Sequence, residues 1–309
     1  MIPLLDLHAD SLTAAYDRGV CLVDGPLQLT LSSLTQPGLS CLAIYLADEH
    51  LHQPFFQAQQ YLRFLRDTLA SPSCPAKQVF TYQDLQTNWA QKIASVIVTV
   101  EGGELLEGDI AHLEDLYQAG VRMMSLTWNR KNELGCGAPF PEGGLTELGR
   151  QTVRRMEQLG MVVDVSHLND KGFWEVASIA TRPFVASHSN CRTVTPNRRN
   201  LTDRQLKAIA DSGGVVGLNL YPPFLTSRPW ATSEDALAHL RHMLKVIGED
   251  HIAFGCDFDG IEKTPQDLPD FSSLQRLEEK MVHAFGTKTT EKICFSNGLR
   301  VFRQVWKKE

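Results

Sequence analysis

The 309-residue chain predicts an α/β fold of the (β/α)8 TIM-barrel type, and three observations carry that prediction. Eight short apolar, β-branched runs recur along the sequence, each bounded by Gly, Pro, Asn or Asp, and each reads as a buried strand. Between them lie segments whose apolar residues return at three- and four-residue spacing, so strand and helix alternate. Neither GxGxxG nor a P-loop occurs, which favours a closed parallel barrel of about 250 residues over an open doubly wound sheet.

In chain order the expected strands are IPLLDLHAD (2–10), LSCLAIYLA (39–47), SVIVTVEGG (95–103), VRMMSLTWN (121–129), GMVVDVSH (160–167), PFVASHSN (183–190), GVVGLNLY (214–221) and HIAFGCDFDG (251–260). Expected helices include PFFQAQQYLRFLRDTLA, LEGDIAHLEDLYQAG, LTELGRQTVRRMEQLG and LTDRQLKAIADSGG. In the last of these, Thr202 and Gln205 form a capping box, and Gly213 suits a left-handed turn after the helix. The stretch beyond Asp257 reads as the last barrel helix followed by a C-terminal helical cap. No linker or composition shift divides the chain, so residues 1–309 are expected to form one domain.

Composition narrows the functional classes. A net charge of −6 without a Lys/Arg run gives no electrostatic reason for a nucleic-acid or anionic-membrane partner. The N-terminus lacks a signal-peptide pattern and no window is apolar enough to span a membrane, so a cytoplasmic address is expected. Seven cysteines without a CxxC pair read as reduced thiols, with Cys136, Cys191 and Cys256 as small packing residues.

Strands of a parallel barrel are buried on both faces, so an ionisable residue in one needs a reason. Here such residues collect at C-terminal strand ends, the face on which these barrels carry their sites. His8 and Asp10 close the first strand, Glu101 the third, His167 the fifth, His188 the sixth and Asp257 the eighth. Residues two apart share a strand face. His8 therefore points with Asp10, Glu101 with Ile97 and Thr99, His167 with Val163 and Val165, His188 with Phe184 and Ala186, and Asp257 with Ala253 and Gly255. Imidazoles mixed with carboxylates suit zinc or a similar divalent ion, and five such ligands suffice for two ions. The remaining histidines, His239 and His242 on HLRHML together with His50, His52, His112, His251 and His283, read as surface or loop residues. Asp6 reads equally as a partner orienting a ligand and as a hydrogen-bonded structural aspartate.

The motifs DLHAD from Asp6, VEGG from Val100, DVSH ending at His167, SHS around His188, RRNLTD from Arg198 and CDFDG from Cys256 resemble, in order and strand placement, those of the membrane (renal) dipeptidase family, peptidase family M19. The likeness runs along nearly the whole chain and is to the soluble bacterial type, within the metal-dependent hydrolase class of barrels. It implies two divalent ions, zinc foremost, with His8, Asp10 and Glu101 on one, Glu101, His167 and His188 on the other, and Glu101 as the bridge. It implies further that Asp257 moves the proton and that Arg199, rather than its neighbour Arg198, grips the substrate carboxylate. The implied reaction is hydrolysis of small dipeptides by a metal-bridged hydroxide, with a D-residue at the C-terminal position left open. Trp128 departs from the pattern, since animal members carry a histidine there that contacts the scissile carbonyl. Trp128 and Tyr221 are candidates to line the substrate pocket, and a homodimer is left open.

Two alternatives stand beside this reading. A deaminase or lactonase could use the same fold, but a deaminase would be expected to show His-x-His where this chain has His8-Ala9-Asp10, and VRMMSLTWN lacks the bridging lysine of a phosphotriesterase-like site. A non-catalytic metal-binding or sensor barrel would have Trp128 as its sign of lost chemistry, but all the proposed ligands, Asp257 and Arg199 are present. A serine nucleophile is disfavoured, because GxSxG is absent.

Overall fold

The computed structural model describes residues 2–34 and 37–306. Its sheet contains β1 (Leu5–Ala9), β2 (Leu39–Tyr45), β3 (Ala76–Gln78), β4 (Ala94–Glu101), β5 (Val121–Ser125), β6 (Val162–Asp164), β7 (Val216–Leu218) and β8 (Ile252–Phe254). All pairings are parallel, and neighbours run β6-β5-β4-β2-β1-β8-β7. The short β3 pairs with the first residues of β4, which β5 reaches only further along, from Val98. Three residues are too few to leave a periodic signature, and this strand was not expected from the sequence.

The expected sixth strand has a different form. Residues 184–188 make only isolated parallel bridges, Val185 to Asp164 of β6 and Ala186 to Val216 of β7. Those bridges join the two ends of the strand path, so the circle closes into the (β/α)8 barrel. The closing segment presses inward: a Cβ on Gly217 or Gly255 would lie 1.8 or 1.7 Å from the Ser187 carbonyl oxygen. Glycine is required there by the close approach of another backbone.

Two apolar layers result. Val96, Val98 and Val100 of β4, with Phe254 of β8 and Cys256 and Phe258 beyond it, join the cluster that packs strands against the surrounding helices. Leu5, Leu39, Cys41, Ile97, Met123, Val162 and Ala253 form a separate interior cluster. That interior is covered at the N-terminal ends of the strands by Val301, Phe302, Val305 and Trp306 of the C-terminal helix Asn297–Val305. The expected C-terminal cap is therefore a plug on the face opposite the polar strand ends.

Helix boundaries follow local chemistry. Thr202 and Gln205 make the expected reciprocal capping box on helix Asp203–Asp211, and Gly213 has φ +86°. Helix Ser233–Ile247 corrects one expectation. His239 is fully buried, not a surface residue, because it shares the inward stripe of Ala236, Leu240 and Met243. Its Nδ1 accepts from Cys191 N at 3.1 Å, and its Nε2 donates to Leu225 O at 3.0 Å. His242, one turn on, is partly buried and pairs with Asp203 at 2.7 Å.

Candidate metal centre and substrate cavity

β1 reaches the site through a bulge. Leu5 lies opposite Leu39 but Ala9 lies opposite Leu42, so the strand carries one extra residue against β2. Leu5 can thus face the interior while His8 and Asp10, of opposite parity to it, turn into the barrel mouth. Bulges next to sites commonly re-aim a side chain in this way. Glu101 arrives by simple alternation, on the parity of the interior residue Ile97, and Asp257 stands three residues past the end of β8.

His167 and His188 do not arrive that way. Val163 and Val165, and likewise Phe184 and Ala186, pack with the outer layer, so a continued strand would carry both imidazoles away from the axis. Strand β6 instead stops at Asp164, and His167 adopts φ +69°, a left-handed turn that swings its ring inward. Asp257 is likewise left-handed, at φ +66°. Non-glycine residues held in that region cluster at functional sites.

The six side chains meet within one buried cluster. His8 Nε2 lies 3.3 Å from Asp10 Oδ2, 3.7 Å from Glu101 Oε1 and 3.8 Å from Asp257 Oδ1. His167 Nε2 and His188 Nε2 are 2.7 and 3.3 Å from Glu101 Oε1 and 2.8 Å from each other. The ligand atoms of His8, Glu101 and His188, and those of His8, Asp10 and Asp257, lie within 4.8 Å of one another in each set. His8 Nε2 and both Asp10 carboxylate oxygens are buried without a hydrogen-bond partner. Orphaned lone pairs of this kind are costly unless a cation meets them, and the mixed imidazole and carboxylate set suits a divalent ion.

The electrostatics agree with that requirement. Burial pushes Asp257 up to about 8, reinforced by the Asp10 and Glu101 charges against the opposing pull of His8. Burial and Glu101 raise Asp10 to about 6. Burial also opposes the charge on Glu101, yet His8, His188 and Arg199 hold it below its ordinary value. His8 is raised to about 10, because Asp10, Glu101 and Asp257 outweigh its burial. His167 and His188 are held neutral, well below the usual imidazole value, chiefly by burial.

Outer partners fix the rings. The amide oxygen of Asn129 accepts from His167 Nδ1 at 2.9 Å, which leaves Nε2 bare. His188 Nδ1 meets Ser187 Oγ at 2.7 Å. Asn219 donates to Asp257 Oδ2 at 2.9 Å. Asp6 accepts from Cys256 N at 2.8 Å, binding β1 to the chain after β8, and so takes the structural role. Cys191 and Cys256 are packed in the outer layer as expected.

A cavity of about 500 Å³ opens over the cluster and is lined by Asp10, Glu101, His167 and Asp257, with Tyr45, Trp128, Tyr221 and Phe224 among its apolar walls. Trp128 packs 5.1 Å from Tyr45 between ring centroids and carries the Arg130 guanidinium 4.6 Å over its ring. Arg199 is buried beside His188 O and Ser189 Oγ at 3.5 Å, and its Nε is unpartnered. Arg198 is exposed and reaches only Pro139 O, so the geometry separates the adjacent arginines. Asn129, Asn219, Ser187 and Tyr45 were not singled out from the sequence, since a polar or aromatic residue near a strand end carries no signal alone. Asp164 could have been found, because it is an ionisable residue inside a buried strand.

A closed parallel barrel with imidazoles and carboxylates gathered at its C-terminal mouth defines a metal-dependent hydrolase of the barrel class. The sequence profile of the membrane dipeptidase family, peptidase family M19, matches residues 2–309. The chain belongs to that family and is a metal-dependent dipeptidase. A protein in the pqqA 5' region of Klebsiella pneumoniae is 35% identical over 80% of this chain and 95% of its own length. Dipeptidase 3 of Mus musculus is 32% identical over 75% of this chain, a match that spans 48% of the mouse protein. Among solved structures, the M19 metallopeptidase dipeptidase AC superposes with a TM-score of 0.90 at 32% identity, covering 99% of both chains. A metallopeptidase from Rhodobacter sphaeroides, liganded with a phosphinate mimic of the dipeptide L-Ala-D-Ala, gives 0.87 at 30% identity, again over 99% of both. Among the described residues no helix is long and apolar enough to cross a membrane.

Proposed function

We propose that this chain hydrolyses the peptide bond of free dipeptides with two divalent ions, zinc in the first instance, held by His8, Asp10, Glu101, His167 and His188. The observation that carries the reading is the convergence of these buried groups, with His8 Nε2 and the Asp10 oxygens unpartnered, beside a buried guanidinium at Arg199. Glu101 reaches His8, His167 and His188 alike and is the candidate bridge. Ions bound there would supply an activated water at neutral pH and polarisation of the scissile carbonyl.

The chain's own residues do the rest. Asp257, held by Asn219 at the edge of the cluster, can take a proton and return it to the leaving amine. Arg199 stays charged, since burial lowers it only to about 10, and its guanidinium, with Nε unpartnered, suits a terminal carboxylate. That anchor favours dipeptides over longer chains. Trp128 and Tyr221 line the cavity and would bear on side-chain preference. The Rhodobacter relative's ligand, a mimic of L-Ala-D-Ala, makes L,D dipeptides worth testing alongside L,L.

The test pairs metal content with turnover of an L,L and L,D dipeptide panel before and after chelation. We expect two metals per chain after zinc reconstitution, with cleavage that chelation abolishes and zinc restores. Cleavage that survives chelation, or fewer than one metal per chain, would overturn the reading.

A further inference from the structure

Strand β6 ends on a buried carboxylate that the reaction does not use. Asp164 Oδ1 accepts the backbone N–H of Ser166 and of Ser187, each at 2.9 Å, and its Oδ2 accepts the Ser187 hydroxyl at 2.5 Å. Ser166 Oγ in turn receives His188 N at 3.2 Å. Asp164 therefore ties the turn carrying His167 to the segment carrying His188, across the seam that closes the barrel.

The direction of these bonds matters. Ser187 has one hydroxyl proton and gives it to Asp164, so toward His188 Nδ1, 2.7 Å away, it can only accept. His188 must then carry a proton on Nδ1, so the nitrogen left to face an ion on the Glu101 side of the cluster is Nε2. We propose that Asp164, acting through Ser187, is a positioning residue that sets the tautomer of His188 and so makes its Nε2 a metal ligand. The inference rests on the metal-site reading above for what Nε2 binds, but the tautomer itself is a property of the metal-free protein. Partners of this kind are commonly worth about 10- to 100-fold in metal affinity.

Asp164→Asn separates this from a packing role, because it keeps the shape and reverses the relay. The amide oxygen is needed by the two backbone donors, so the amide NH2 faces Ser187 and donates. The Ser187 hydroxyl then turns to donate into His188 Nδ1, and the ring proton moves to Nε2. In 15N-histidine NMR of the metal-free protein, the wild type should show a protonated Nδ1 at His188 and the Asn variant a bare one. Zinc affinity, measured by competition with a chromophoric chelator, should fall about 10- to 100-fold in Asp164→Asn. It should fall less in Ser187→Ala and stay near wild type in Ser187→Thr, which retains the hydroxyl. A proton retained on His188 Nδ1 with wild-type affinity in Asp164→Asn would overturn the proposal. If that variant does not fold, equal zinc affinity in Ser187→Ala and Ser187→Thr would do so. Dipeptide turnover plays no part in this test, so failure of the substrate reading is separately visible.

Discussion

Single residues at the mouth carry distinct burdens, and substitutions can separate them. Asp257 touches the cluster through one oxygen and Asn219 through the other, so Asp257→Asn preserves shape while removing the proposed proton acceptor. Metal content should hold, and kcat should fall by about 10²- to 10⁴-fold. Loss of metal in step with activity would instead make Asp257 a ligand. Arg199→Lys tests the opposite end of the substrate. A lysine keeps charge but loses the paired donors of a guanidinium, so KM should rise more for free dipeptides than for amidated ones. An equal rise for both would remove Arg199 from carboxylate binding.

Gly260 shows how tightly the carboxylates are enclosed. A Cβ there would lie 2.1 Å from Asp10 Oδ2 and 2.6 Å from Asp257 Oδ1.

At the scale of elements, the sequence was most legible where one residue type faces one environment. Glu101 followed from alternation along a continuous strand, and the helix from Asp203 followed from its capping box. His167 and His188 were placed at the mouth for a reason that does not hold. Their strand neighbours face outward, and a left-handed backbone at His167 and a strand reduced to bridges at His188 bring the rings in. Neither feature has a signature in residue type. The bulge in β1 was equally hidden, because pairing register belongs to two strands at once.

His239 shows the converse failure. Its helical position marked it as inward, but its polarity led to a surface assignment. Its buried Nδ1 must remain an acceptor for Cys191 N, and burial lowers its pKa to about 4. Since the folded value lies below that of a free imidazole, about 6.5, the unfolded chain takes the proton first as pH falls. The stability contribution is intact above pH 6.5 and is lost progressively toward pH 4, at about 1.4 kcal/mol for each pH unit. His239→Gln keeps an acceptor and a donor but does not titrate. In urea unfolding, the advantage of wild type over this variant should shrink by about 2 kcal/mol between pH 7 and pH 5. A pH-independent difference would show that His239 does not titrate on unfolding in that range.

Across the whole molecule, the barrel is unevenly built. β2 and β4 share seven registered pairs, whereas β5 with β6 and β7 with β8 share three each, and the seam between β6 and β7 is held by single bridges through residues 185 and 186. His167, His188 and Asp257 all stand on this thinly bonded half, while Glu101 ends the longest strand on the opposite side. An ion held jointly by Glu101, His167 and His188 would therefore link the well-bonded half to both edges of the seam. It would also relieve the carboxylate repulsion that raises Asp10 and Asp257. Binding only the folded state, such an ion adds about 4 kcal/mol when free metal exceeds Kd by a thousandfold. Chelation should lower Tm and speed amide exchange at Val165, Val185, Ala186, Ser189 and Gly217, backbone donors that span the seam. Exchange in the β2 and β4 ladder should change much less, because its protection comes from its own hydrogen bonds. Uniform acceleration over both halves would mean that the ions stabilise the barrel as one unit and that the seam is not its weakest joint.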